Sequence, residues 1–406
     1  MSGSEPVASV ATRFVELEGR GMRHSLLLAA LALLVAFGLY AAHYMEQSGH
    51  HVTGMSNQVV WGLPHVFAVF LIIAASGALN VASMASVFGQ AGYKPLARLS
   101  VLVAVSLLVG GLFVLVLDLG RPDRLVVALT HYNFNSIFAW NIVLYSGFVL
   151  VALFYLWTLM EGRLQKHSRF VGGLALFWRL MLTTGTGCIF GFLVARPLYH
   201  VAIMAPLFIS LSLSFGLASF MLIFFAIQRF RGSRCETTMQ ERLAKLLSLL
   251  VWTAFCLMFA QYVFAYFSTT QGDVARFVLL SGDVYTVVFW FGQVGIGTLV
   301  PLMLLHRCKR RSNVSVVMVS AAMVVAGGFA QLYVLILAGQ ALPLRLFPDK
   351  VIVESSFFDG AVATYVPSVP ELGLGIGGIA FALFCICTGV KVLRLLPDVR
   401  SGAGLA

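Results

Sequence analysis

The chain has 406 residues, of which 60% are apolar and only 11% charged, and its mean hydropathy is +0.93. A soluble domain carries about a quarter charged residues, so this chain cannot build a water-soluble surface, and lipid must be the solvent for most of it. The net charge of +11 does not mark a nucleic-acid binder, because the basic residues sit in short loops between apolar runs, the pattern of membrane-orientation signals.

The first 23 residues form a polar tail. It is long for the charged leader of a signal peptide, so the first apolar run reads as a retained helix. A bilayer crossing takes ~20 apolar residues, and windows of that kind predict spans at 24–42, 59–85, 99–119, 136–160, 173–195, 200–228, 246–268, 281–305, 314–340 and 373–395. Each must be helical, because lipid offers the backbone no hydrogen bonds; a β-barrel would show short alternating segments instead. The expected organisation is an all-α integral membrane protein of about ten transmembrane helices. A tail (1–23) precedes the first helix and a His-containing loop (24–58). Two four-helix bundles (59–195 and 196–340), a long loop (341–372) and a last helix with a tail (373–406) follow.

Lysine and arginine orient the chain. Twenty of the 27 fall on one side of the expected spans, among them Lys94, Arg98, Arg163, Arg229, Arg231, Arg242 and Arg307. Only Arg121, Arg124, Arg196, Arg276, Arg345 and Lys350 fall on the other, and Arg179 lies inside a span. Basic loops stay in the cytoplasm, which predicts cytoplasmic N- and C-termini, as an even number of spans requires. The opposite, periplasmic face collects the unusual polar groups: His43, His50 and His51 in one loop, the stretch 118–135, and the Pro-rich loop 341–372. A loop of that length reads as a docking surface more than a connector. The glycines of Gly373-Leu374-Gly375-Ile376-Gly377-Gly378 open a membrane helix, so close helix packing explains them better than dinucleotide binding. The six cysteines form no C-x-x-C, which argues against a metal or iron–sulfur site made by this chain alone.

Ionisable groups inside spans cost about 2.5–3.5 kcal/mol at the helix centre and are functional candidates. Asp118, closing the third span, either pairs with Arg121 three residues on or accepts protons. His65 follows Pro64, where the helix is expected to bend, and it either bonds a neighbouring helix or binds a ligand. Arg179 is expected to snorkel to the basic interface. Asn80, Asn141, Gln261 and Gln293 are expected to make interhelical hydrogen bonds. By depth, His65, Asp118, His131 and His200 share the outer interface, an arrangement that would suit a quinone head group, whose two oxygens exchange protons. A weak echo links Pro64-His65-Val66 with Tyr199-His200-Val201, and Gly77–Met84 with Ser214–Met221, as in parallel internal repeats.

The run Leu117-Asp118-Leu119-Gly120-Arg121-Pro122-Asp123-Arg124, continued through His131-Tyr132-Asn133-Phe134-Asn135-Ser136 to Trp140-Asn141, resembles the L-G-R-P…S…W signature of the NrfD/polysulfide-reductase membrane subunits. Tyr365, Pro367, Ser368, Pro370 and Glu371 resemble that family's Y-x-P-S-x-P-E entry into the last helix. Length and Trp61-Gly62-Leu63-Pro64-His65 are most similar to the DsrP-type subunits of the Dsr transmembrane complex of sulfur metabolism. The resemblance implies a multi-pass inner-membrane subunit that reacts with menaquinone or ubiquinone and carries neither haem nor iron–sulfur cluster. It also implies partners: a periplasmic ferredoxin-like iron–sulfur subunit, a periplasmic multihaem cytochrome c, a haem b membrane subunit and a cytoplasmic iron–sulfur subunit. On the same ground His65 matches the head-group histidine, while the asparagine usual near it in the family has no clear counterpart beside Gly62 and Leu63. Asp118 and His131 would handle protons. Arg121 and Asn133 would shape the site, and Trp140 and Asn141 enter with the signature. Two alternatives stay open on the residues alone: a cytochrome with His65 and His200 as axial haem ligands, and a secondary transporter.

Overall fold

A computed structural model describes residues 14–17, 21–233, 236–281, 283–308, 313–343 and 361–398. The extreme N- and C-terminal tails and most of the expected docking loop therefore lie outside the described residues. Among the described residues ten helices are long and apolar enough to cross a membrane. They are α1 (Met22–Ser48), α2 (Leu63–Ser86), α3 (Ala91–Leu117), α4 (Ile137–Met160), α5 (Gln165–Gly191), α6 (Met204–Phe230), α7 (Thr237–Phe267), α8 (Val284–Arg307), α9 (Val314–Ala341) and α10 (Val369–Val392). The chain is thus an all-α, multi-pass membrane protein, as composition requires. Helices α5 and α7 begin well before their apolar windows, because polar residues at the basic end continue the helix beyond the hydrophobic layer. Helix α6 begins at Met204, not at 200, which leaves His200 in the preceding loop.

Adjacent helices cross in both directions, so the two described ends of the chain meet. Phe14–Val15 pairs antiparallel with Leu396–Pro397. Arginines of this basic end hold backbone carbonyls: Arg98 donates to Leu159 O and Arg394 O, and Arg231 donates to Pro397 O at 3.1 Å. Helix α2 sits centrally, against α3, α6 and α10, with α4 beside α5 and α8 beside α9; α1 runs along α10. The glycine run performs the close packing expected of it. A Cβ on Gly377 would stand 2.7 Å from Gly38 Cα of α1, so any side chain there would drive α1 and α10 apart. The two echoed segments also meet, since Gly77 of α2 lies against Ser212 and Gly216 of α6.

Pro64 lies in the first turn of α2, where a missing N–H is harmless. It opens the helix and does not bend it at His65. The break comes deeper, at Leu79, between Leu63–Ala78 and Asn80–Ser86. A break in lipid frees backbone groups that need partners, and Ser100 of α3 supplies them: its hydroxyl donates to Ala78 O at 2.7 Å and accepts from Ala82 N at 3.1 Å. Arg179 of α5 reaches the same place. It does not snorkel to the interface, as expected from sequence, but is buried and donates to Asn80 Oδ1 at 3.0 Å. Asn141 bonds α4 to α5 through Gly185 O at 3.2 Å, and Gln293 donates to Met258 Sδ. Gln261 is buried, with no partner for Nε2 among the described residues.

Candidate functional site

The site lies at the end opposite the paired termini, where the segment leading into α2 is clamped from three directions. Gln340, at the end of α9, accepts from Val60 N at 3.0 Å and Trp61 N at 3.1 Å and donates to Trp61 O at 3.0 Å. A π-helical stretch, Val334–Ala338, precedes it; its Ile336 carbonyl takes hydrogen bonds from both Gln340 Nε2 and the Tyr199 hydroxyl. Arg196 donates to Gln58 O at 2.7 Å and to Gln340 O at 3.0 Å. Burial pulls its guanidinium somewhat below the usual arginine range, and burial likewise holds the Tyr199 hydroxyl neutral, well above the ordinary tyrosine range.

The third clamp is the entry to α10. Ser368 and Glu371 form a reciprocal capping box, the S-x-x-E arrangement that satisfies two orphan amides of a helix start. Glu371 is fully buried, yet both oxygens are used: Oε2 accepts from Gly54 N at 2.9 Å and Ser368 N at 2.7 Å, and Oε1 accepts from the Tyr365 hydroxyl at 2.7 Å. That hydroxyl accepts from Leu63 N at 2.6 Å, the first residue of α2. Burial, followed by the Glu371 carboxylate, drives the Tyr365 hydroxyl far above its usual range. The chain at Gly62 passes so close to the side chains of Glu371, Met55 and Tyr365 that a Cβ there would force them to shift.

These clamps fix Trp61 and His65. Trp61 stacks on His65 (ring centroids 5.9 Å, 22°) and on Tyr199 (6.3 Å, 23°), and it meets the edges of Phe138 from α4 and Phe190 from α5. On its other side, His65 Nδ1 stands 2.8 Å from Asp118 Oδ2. The aspartate side chain is only 1% exposed and the imidazole 21%, so the ring reaches from a buried acid towards the surface. Nδ1 faces the carboxylate at ion-pair distance, without the alignment of a full hydrogen bond, and Nε2 is left for a ligand. Asp118 caps the C-terminal end of α3 and His65 lies in the first turn of α2. Helix dipoles oppose a carboxylate at the first place and an imidazolium at the second, so each group, when ionised, is the other's natural partner.

Of the residues singled out from sequence, the structure brings His65 and Asp118 together. Arg121 does not pair with Asp118; it faces Asp123 at 3.4 Å, with both side chains mostly exposed. His131 is exposed, its Nδ1 3.1 Å from Thr130 Oγ1. Asn133 Oδ1 accepts from Asn135 N at 2.9 Å, and Trp140 Nε1 donates to Phe134 O at 2.8 Å. These two, with Tyr132 packed edge-on to Phe134 and Trp140, organise the hairpin between α3 and α4, and none of these contacts is with His65 or Asp118. Asn141 is buried one turn beyond Phe138, on the face that meets Trp61, and its Oδ1 has no hydrogen-bond partner among the described residues. His200 is exposed and its Nδ1 lies 3.1 Å from Gly191 O. Sequence reasoning missed Gln340, Tyr199 and the structural role of Glu371. Only Glu371 carried a local signal, the capping box of Ser368-Val369-Pro370-Glu371.

Residues 51–343 match the family described as polysulphide reductase, NrfD. The chain is 27% identical over 401 residues to an Hdr-like menaquinol oxidoreductase integral membrane subunit of Archaeoglobus fulgidus, covering 96% of this chain and 98% of that one. It is 25% identical to the protein NrfD of Escherichia coli, over 70% of this chain and 95% of that one. It is 22% identical to the menaquinone reductase integral membrane subunit of Nitratidesulfovibrio vulgaris, over 91% of each chain.

Proposed function

Because the chain belongs to the NrfD polysulphide-reductase family, we propose that it is the quinone-reactive membrane subunit of a respiratory redox complex, with the quinone head group held at Nε2 of His65. The single observation that carries this is the His65–Asp118 contact: an imidazole wedged between a buried carboxylate and a flat aromatic wall of Trp61, with its outer nitrogen free. An imidazole N–H can donate to a quinone oxygen as it gains charge, and a charged donor strengthens that bond. The same nitrogen, unprotonated, can take a quinol proton, while Asp118 accepts the Nδ1 proton in exchange. Trp61, Phe138 and Phe190 offer the apolar, ring-shaped surroundings that a quinone needs.

Two relatives are named for menaquinol and menaquinone, which favours menaquinone over ubiquinone as substrate. The electrons would pass to or from a periplasmic iron–sulfur subunit, in a complex of sulfur metabolism that also holds a multihaem cytochrome c, a haem b membrane subunit and a cytoplasmic iron–sulfur subunit. The 341–372 loop would form much of the docking surface. The basic end would face the cytoplasm of a cell whose inner membrane the protein spans. His131, Arg121, Asn133 and Trp140 would act from the hairpin once partners cover it, and Asn141 from the rear of the aromatic wall.

His65→Gln keeps a donor of similar size but cannot titrate. In an assembled complex it should lower quinol-dependent electron transfer by about a hundredfold or more, the scale of general acid–base catalysis. Asp118→Asn should slow turnover less and leave quinol affinity closer to normal. An intact His65→Gln complex working at the wild-type rate would remove His65 from the site and the proposal with it.

A further inference from the structure

A cavity of about 120 Å³ lies beside the chain at Asp118, lined by the residues that flank the aspartate and not by its carboxylate. Leu117, Leu119 and Pro122 line it from one side, and Leu39, Ala42, His43 and Glu46 of α1 from the other, with His50 closing the turn beyond α1. His50 Nε2 stands 3.2 Å from the backbone carbonyl of Asp118, and the ring lies over Gly120. His43 and Glu46 are exposed, so the cavity communicates with the surface, whereas Asp118 is buried and neither carboxylate oxygen has a hydrogen-bond partner among the described residues beyond the close approach of His65. A buried carboxylate oxygen without a donor is a place where water is expected. A cavity of this size, lined on one side by three titratable side chains, has room for several waters.

We propose that His50 and the His43–Glu46 mouth of this cavity form the proton outlet of the quinone site, so that α1 and its turn are part of the machinery and not merely a flanking helix. This rests on the quinone reading above. Each quinol gives up two electrons and two protons, and the electrons leave to the iron–sulfur partner. For the first O–H bond broken, His65 takes the proton at Nε2 and passes its Nδ1 proton to Asp118; once Asp118 has discharged, the imidazole must return to the Nδ1–H tautomer before it takes the second. Asp118 discharges through water to His50, whose ring lies against the aspartate's own backbone carbonyl, and His43 and Glu46 at the cavity mouth deliver the proton to bulk water. Quinone reduction runs the same path inward. The remaining charges nearby are already engaged: Arg121 with Asp123, and Glu371 with Gly54, Ser368 and Tyr365. His51 is exposed beside His50 and offers a parallel acceptor outside the cavity.

The test is inhibitor-sensitive, menadiol-driven reduction of the redox centres in the assembled complex, followed by stopped-flow absorbance from pH 5 to 9. His50→Gln retains a donor for the Asp118 carbonyl but cannot carry a proton. It should slow reduction about tenfold, the lower side of acid–base effects, with the KM for menadiol unchanged, a flattened pH profile and a larger solvent deuterium isotope effect. His50→Ala should be slowed further and recover when imidazole is added. His65→Gln is measured alongside. If His65→Gln is inactive while His50→Gln keeps the wild-type rate, pH profile and isotope effect, the outlet is wrong and the quinone site stands. If both His50 variants are slow through a raised KM or failed assembly and imidazole restores nothing, His50 is structural and the outlet is again wrong. If His65→Gln is fully active, the quinone site itself falls and the outlet with it.

Discussion

At the scale of single residues, the site is decided by which side chain each buried polar group faces. Asp118 lies three residues before Arg121 in sequence, but beyond the end of α3 the chain leaves helical geometry and carries Arg121 out to Asp123. His65, from a different helix, takes the carboxylate instead. Gly62 shows the same economy of space. A Cβ there would come within 2.9 Å of Met55 Cγ and 3.0 Å of the Tyr365 hydroxyl, and would also press on Glu371 Oε1. Gly62→Ala should therefore destabilise the subunit by about 1–3 kcal/mol, the usual cost of overpacking, and displace Trp61 and His65. Thermal unfolding in detergent measures the first effect and quinol KM the second; an unaltered KM would show that the Trp61 wall does not touch substrate.

At the scale of elements, the entries to α2 and α10 and the end of α9 form one hydrogen-bonded unit, with Tyr365 at its centre. Its hydroxyl donates to Glu371 and accepts from Leu63 N, and the fold holds it protonated far above the ordinary value of 10.0. A raised folded-state pKa stabilises fully below the unfolded value and progressively less as pH climbs from there towards the folded one. The window is thus above pH 10, where the unfolded tyrosine ionises and the folded one does not. Tyr365→Phe should cost about 1–3 kcal/mol near neutrality by leaving Glu371 Oε1 and Leu63 N unpaired. It should also show a shallower loss of stability than wild type between pH 10 and 11. Parallel unfolding curves across that range would mean the hydroxyl is not held neutral. The break in α2 belongs to this scale too, because Ser100 of α3 is what makes an interruption at Leu79 tolerable in lipid.

At the scale of the molecule, the arginines of the basic end bind backbone carbonyls beside the paired termini, and the proposed topology gives them a second task, keeping that end in the cytoplasm. A cytoplasmic reporter fused after Ala406 should be active, and an extracytoplasmic reporter inserted in the 341–372 loop should be active as well. The reverse pair would turn the proposed quinone site to the cytoplasm. Partner docking is tested separately by photo-crosslinkers placed at Val362 and Val366, which are exposed beside the clamp. They should capture the iron–sulfur subunit in the assembled complex. Capture only from the basic loops would move the docking face to the other end.

Composition and contiguous motifs were enough to establish the solvent, the number and approximate limits of the spans, the close packing at Gly373–Gly378 and the family. Hydropathy adds locally along a helix, and L-G-R-P or S-x-P-E is read without knowing what it touches. The residues also pointed to His65 and Asp118, because an ionisable group at a span end stands out wherever its partner is. Which groups meet was settled by the packing of helices far apart in the chain. Arg179 turned inward because Asn80 stood opposite it at the break in α2, and Asp118 found His65. Gln340, inconspicuous at the end of an apolar run, and Glu371, legible as a helix cap but not as a partner of Gly54 and Tyr365, became the clamps of the site. Such pairings follow from the rotational phase of one helix against another and from where each helix stops. Apolar windows constrain neither, since every face of a lipid-embedded helix is apolar enough to look the same.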